Sequence, residues 1–276
     1  MGDKKLFIFD YSGTLSLEST LFGRPDYLTR ELEESGLSNM GITSPAIFWE
    51  EIVNPTWYEG STTAAGYKKI IEDRLRTLTR TDAMNAEEAK AAASSFVDSY
   101  LRHSRIDRSW GRVFRELALR PYIRVVIATD HYAEATSYIL QFLRELNIQA
   151  MPATLAIAHR DSREVIVANS ADLGFHKDKR EFWEILRRGL QMNDVRNIVV
   201  VDDFGCNEEK GDSYSRPEKV KRRQRETVRM LQDVFAAKVE VVSFILKEKS
   251  EKATSDLVSD TWRTIDRYLA TADDRV

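Results

Sequence analysis

Apolar residues along this chain follow two spacings. Five short runs of apolar, β-branched or aromatic residues stand out, at 5–9 (KLFIF), 123–128 (IRVVIA), 164–168 (EVIVA), 197–201 (NIVVV) and 239–246 (VEVVSFIL). Several are apolar almost throughout, as expected of strands covered on both faces in a parallel sheet. Between them, 133–146, 180–190 and 256–269 repeat apolar residues at helical spacing. Strands alternating with helices predict an α/β fold, a doubly wound parallel sheet of Rossmann-like form. The stretch 153–168 (TLAIAH, RDSR, EVIVA) departs from that rhythm and predicts a hairpin attached to the sheet.

More than a hundred residues separate the first two strands, far beyond an ordinary crossover. The spacing there predicts an insertion with its own helices. One opens near Pro25 and ends at Gly36; a second starts at Ser44-Pro45 and stops at Asn54-Pro55. A third buries Tyr67, Ile70, Ile71, Leu75 and Leu78, and a fourth over 86–102 buries Ala89, Ala92, Phe96, Val97, Tyr100 and Leu101. The chain therefore divides into a core formed by 1–15 and 112–276 and a smaller α-helical domain over 16–111.

Composition narrows the field only a little. The 276 residues carry a net charge of -3, which supplies no global field for nucleic acid, and 42% hydrophobic content rules against disorder. Cys206 is the single cysteine, so an internal disulfide and a cysteine zinc site are both excluded and a reducing compartment is implied. No apolar run approaches the roughly 20 residues of a membrane span, and the start lacks the pattern of a signal peptide. The expectation is a cytoplasmic protein with neither membrane nor nucleic-acid partner; the basic run 219–229 is taken as a solvated helix face.

Chemistry gathers where strands end. The first run ends at Asp10, the second at Thr129 and the fourth at Asp202 and Asp203. Ligands of open α/β sheets bind beyond the carboxyl ends of strands, so these side chains converge on one crevice. Clustered carboxylates repel one another unless a cation joins them, and an all-oxygen site suits Mg²⁺, with a phosphate group as the natural substrate.

Together these residues resemble the four motifs of the haloacid dehalogenase superfamily. They are LFIFDYSGTL at 6–15, VVIAT at 125–129, the Lys of FHKDKREFW at 175–183, and IVVVDD at 198–203. Lys177 is preferred to Lys179 because it precedes Asp202 by 25 residues, a usual separation in that family. The resemblance implies a hydrolase with a helical cap after the first motif. Asp10 would be the nucleophile, forming an aspartyl-phosphate. Mg²⁺ would be held by Asp10, the carbonyl of Ser12, and Asp202 or Asp203. Thr129 and Lys177 would bind and neutralise the phosphoryl group, with Gly13 and Thr14 shaping the turn and Asp130 and His131 beside the crevice.

Ser12 departs from the pattern. Family phosphatases usually carry there a second Asp that protonates the leaving oxygen, and a serine hydroxyl titrates too high for that task. Relatives depart here too: phosphonoacetaldehyde hydrolases have Ala, P-type ATPases Thr and haloacid dehalogenases Tyr. The open readings are a phosphatase of a small phosphorylated metabolite, one that is slow, takes His131 or a residue of the insertion as substitute acid, or uses a substrate with a good leaving group; a C–P hydrolase using Lys68 or Lys69 as a Schiff base; a phosphotransferase; and a phosphate-binding protein without turnover. The loop 54–67, with Trp57 and Tyr58, is expected to close over the site. Cys206 is expected to be a small filler.

Overall fold

The computed structural model describes residues 4–79, 83–159, 164–208, 216–248 and 250–273. Its centre is one six-stranded parallel sheet in the order β3-β4-β2-β1-β5-β6. The strands are β1 (Lys4–Asp10), β2 (Ile123–Thr129), β3 (Ala150–Pro152), β4 (Val165–Asn169), β5 (Val195–Asp202) and β6 (Lys238–Ser243). Alternate residues of each inner strand feed opposite faces, as the pleat requires. Phe7, Phe9, Val125, Ile127, Val199 and Val201 join one apolar layer; Leu6, Ile8, Val126, Ile198 and Val200 join the other.

Helices cover both layers. The first layer receives α7 (Trp110–Ala118), α8 (Glu134–Glu145) and α13 (Glu251–Asp273), through Trp110, Phe114, Ile139, Phe142, Ile265 and Leu269. Against the second lie α9 (Ala153–His159), α11 (Arg180–Gly189) and α12 (Pro217–Phe235), with Ala156, Phe182, Trp183, Leu186, Leu231 and Phe235 buried. The doubly wound parallel sheet is thus the observed architecture.

Among the described residues, every regular element between β1 and β2 is helical. They include α1 (Glu18–Phe22), α2 (Pro25–Ser35), α3 (Pro45–Ile47), α4 (Asn54–Thr62), α5 (Tyr67–Thr79) and α6 (Ala83–His103). Gly36 ends α2 in the left-handed conformation at φ 86°, where a Cβ would be strained. One apolar cluster runs without a break from the sheet, through Phe9, Trp110 and Phe114, into Leu28, Phe48, Ile71 and Phe96 of the inserted helices.

Three expectations are corrected. The stretch 153–168 is not a hairpin: residues 153–159 form α9, and β4 pairs in parallel with β3, a strand too short for its alternation to show. The helix begun at Pro45 does not stop at Asn54-Pro55; a π-helical turn over Phe48–Val53 leads directly into α4. Pro55 lies inside this continuous helical run, where its missing N–H leaves one bond unmade, and the π-helical turn stands immediately before it. Finally, Leu78 falls off the buried face of α5 and is exposed. No helix among the described residues is long and apolar enough to cross a membrane.

Candidate active site

The register sets the site. Asp10 stands opposite Ala128, and Phe9 opposite Val201, so that Asp10, Thr129 and Asp202 leave the same rim of the sheet. Beyond Asp10 the chain turns sharply. The Tyr11 carbonyl accepts the N–H groups of Thr14 (3.4 Å) and Ser16 (2.8 Å), and Gly13 N–H donates to the Ser16 carbonyl (2.8 Å). Gly13 has φ +79°, and a Cβ there would stand 2.7 Å from Asp203 Oδ2, so both conformation and space demand glycine. Ser12 is half-buried and pairs by its backbone with Ser16.

A carboxylate oxygen from each of Asp10, Asp202 and Asp203 lies within 4.8 Å of the others, and all three residues are buried. Lys177 is the cation that meets them: its Nζ donates to Asp10 Oδ1 and stands 3.6 Å from Asp202 Oδ2. One ammonium against three carboxylates leaves an excess of buried negative charge. Burial holds the Asp10 carboxyl well above the usual carboxylate range, with Lys177 opposing and Asp202 and Asp203 adding to the rise. Asp203 is pushed up to about 6 by burial and then by the Asp202 charge. A divalent cation between these oxygens would offset that cost, and three hard donors around one point suit Mg²⁺.

The site's loops are fixed from behind. Thr14 Oγ1 accepts the Asp203 N–H at 3.0 Å, and Phe204 N–H donates to Asp202 Oδ1 at 2.6 Å. Lys177 is pinned twice through its backbone: its N–H donates to Asp130 Oδ1 (2.7 Å), and its carbonyl accepts from Trp183 Nε1 (2.7 Å). Lys179 instead faces Asp178. Thr129 is buried at the end of β2, level with Asn169.

His131 is buried and its pKa is lowered to about 4, so its imidazole is neutral. Its Nδ1 accepts the Tyr132 N–H at 2.9 Å, which leaves the proton on Nε2 to be donated to Tyr100 Oη at 2.9 Å. Neutral and bonded at both nitrogens, it is a poor substitute acid. Lys68 pairs with Asp98 at 2.6 Å, and Lys69 pairs with Asp73, so both candidate Schiff-base lysines are engaged elsewhere. The Cys206 thiol is pushed up by burial and by Asp203, the reverse of what a nucleophile needs.

The expected lid is a helix. Residues 54–62 form α4, and Trp57 stacks on His176 with Tyr58 at the ring's edge. Ser61 Oγ donates to the Trp57 carbonyl, so the 2.6 Å contact between Ser61 Oγ and His176 Nε2 is a bond donated by the imidazole. His176 immediately precedes Lys177.

Two supporting residues escaped the sequence. Asn207 Nδ2 donates to the carbonyls of Gly13 (2.7 Å) and Phe244 (2.8 Å), while its own N–H donates to Asp203 Oδ2 (2.8 Å). Arg223, inside the basic run taken as solvated, donates from Nε and Nη2 to the Phe204 carbonyl at 3.0 and 2.6 Å. No spacing signals such bonds, because the partners are remote in sequence.

No family model matches the sequence, and no curated protein matches it. Two solved structures are similar in fold. A 2-haloacid dehalogenase from Pseudomonas syringae pv. Tomato DC3000 shares 16% identity over 80% of this chain and 99% of that one, with a TM-score of 0.46. A phosphonoacetaldehyde hydrolase-like protein from Oleispira antarctica shares 12% identity over 95% of each chain, with a TM-score of 0.38. Likenesses this distant leave function to the site's own geometry.

Proposed function

We propose that this chain is a Mg²⁺-dependent hydrolase of the haloacid dehalogenase type, a phosphatase of a small phosphorylated compound that works through an aspartyl-phosphate. The observation that carries the reading is Lys177 Nζ on Asp10 Oδ1, with Asp202 and Asp203 alongside. An Asp oxygen in such a centre is a nucleophile toward phosphorus, and covalent capture splits one hard displacement into two easier steps. Asp10, Asp202 and Asp203 would hold the metal, which when bound neutralises charge on the phosphoryl oxygens.

Lys177 draws negative charge from Asp10 and from the transferring group, and Thr129 offers a hydroxyl to a phosphoryl oxygen. Asp130 and Trp183 hold the backbone of Lys177 so that its ammonium meets Asp10 in one direction. The inserted helices act as a cap that excludes water. The C–P reading gains nothing from Lys68 and Lys69, whose ammonium groups are paired with Asp98 and Asp73.

The test is Asp10→Asn. With Mg²⁺ and an aryl phosphate, phosphate release should fall by at least about 10³-fold. Circular dichroism should stay native, since Asn keeps the shape of the side chain. Activity within a few-fold of the native protein would end the covalent reading.

A further inference from the structure

We propose that Tyr100, on the inserted helix α6, meets the leaving oxygen of the substrate and donates a hydrogen bond to it without giving up its proton. This rests on the phosphatase reading above and names the substrate class that reading leaves open: phosphate compounds whose leaving oxygen departs as a stable anion, such as aryl, enol or acyl phosphates.

The position of Tyr100 is fixed from several directions. Its ring stacks on His131 at 5.5 Å and 20°, two residues beyond Thr129. Tyr11, one residue beyond Asp10, donates its hydroxyl to the carbonyl of Ser104, the residue just past the end of α6. Residues just beyond β1 and β2 therefore pack against this end of α6. Phe22, at 4.9 Å, holds the ring from the opposite side.

The proton inventory sets the chemistry. His131 Nε2 donates to Tyr100 Oη, so the phenol's own proton points away from the imidazole. Burial, with Glu208 and Tyr132 adding, pushes the Tyr100 phenol above its ordinary range, so it remains protonated. An Asp10 oxygen forms the new bond to phosphorus. The bond from phosphorus to the leaving oxygen breaks and its electron pair goes to that oxygen. Tyr100 keeps its proton and stabilises the anion, which solvent protonates after release. Ser12 adds no acid, so alkyl phosphates, whose alkoxides need a proton, are excluded.

The experiment measures kcat/KM with Mg²⁺ for a series of aryl phosphates of graded phenol pKa, plus one alkyl phosphate, in native protein and Tyr100→Phe. The native slope of log kcat/KM against phenol pKa should be steeply negative, with the alkyl ester at least about 10²-fold slower than the best aryl ester. Tyr100→Phe should lose about tenfold on the best leaving group and more on the poorer ones, because a lost hydrogen bond matters most where charge is greatest. A purely structural role would lower every substrate equally and leave the slope unchanged, and that result overturns the proposal. A flat native slope overturns it without any variant. If Asp10→Asn abolishes activity yet Tyr100→Phe changes nothing, the phosphatase reading stands and only the role of Tyr100 falls. A native protein inert toward every ester removes both.

Discussion

Asp203 shows what burial does to a carboxylate. Its carboxyl is raised to about 6 in the folded chain, chiefly by burial, against 3.8 as the ordinary value. The folded state therefore holds this proton more tightly than the unfolded state, and the stability it contributes is present below about pH 4 and lost as pH rises through about 6. With metal chelated, Asp203→Asn should stabilise the protein at pH 7.5, on the order of 1–3 kcal/mol, and have little effect at pH 4. Thermal melts should show this as a rise of several degrees at the higher pH only. Mg²⁺ should raise the melting temperature of the native chain at pH 7.5 more than that of the variant. A variant less stable than native at pH 7.5 in chelator would contradict this account. Asp10, Lys177, Asp202 and Asp203 could be picked out from strand ends and motif spacing. Tyr100 and Asn207 could not, since their contacts are with residues just beyond β1, β2 and β6 that come together only after folding.

At the scale of elements, α4 is the contact between the insertion and the loop that carries Lys177. Its glycine lets it lie equally close to the loop after β2: a Cβ on Gly60 would collide with the Tyr132 ring. His176 fastens the same helix by its bond to Ser61 and its stack on Trp57. His176→Ala removes both, about 1–2 kcal/mol, and should raise amide exchange in 57–62 about five- to thirtyfold while β1 and β5 exchange as before. Unchanged exchange in α4 would mean that the helix is held by its other contacts alone. The sequence misread this element because Asn54-Pro55 is a breaker signal, whereas the π-helical turn before it lets the chain run through. It misread 153–159 for a related reason. A short apolar run fits a strand or a buried helix equally, and only packing of Ala153 and Ala156 against the second layer decides.

At the scale of the molecule, the unbroken cluster from Phe9 and Phe114 to Leu28 and Phe96 ties the inserted helices to the sheet. Burial of that shared apolar area stabilises both parts at once, so neither keeps its core when the other unfolds. Urea unfolding followed by tryptophan fluorescence and by far-ultraviolet circular dichroism should give coincident transitions. Trp49 and Trp57 report the insertion, while Trp110, Trp183 and Trp262 report the helices on the sheet. Two separated transitions would show that the insertion folds as an independent unit.

The sequence alone determined the parallel α/β class, because strands apolar on both faces can be buried only between two helical layers. It also determined which carboxylates stand at the strand ends, because the register of a parallel sheet brings those ends to one rim, and motif spacing singled out Lys177. Tertiary structure alone decided what surrounds them. It made His131 neutral by burying it, tied Lys68 and Lys69 to acids of the insertion, turned Arg223 inward onto Phe204, and stacked Tyr100 on His131. Each of those outcomes depends on a contact between residues far apart in the chain, and such contacts leave no periodicity or local spacing in a single sequence to be read.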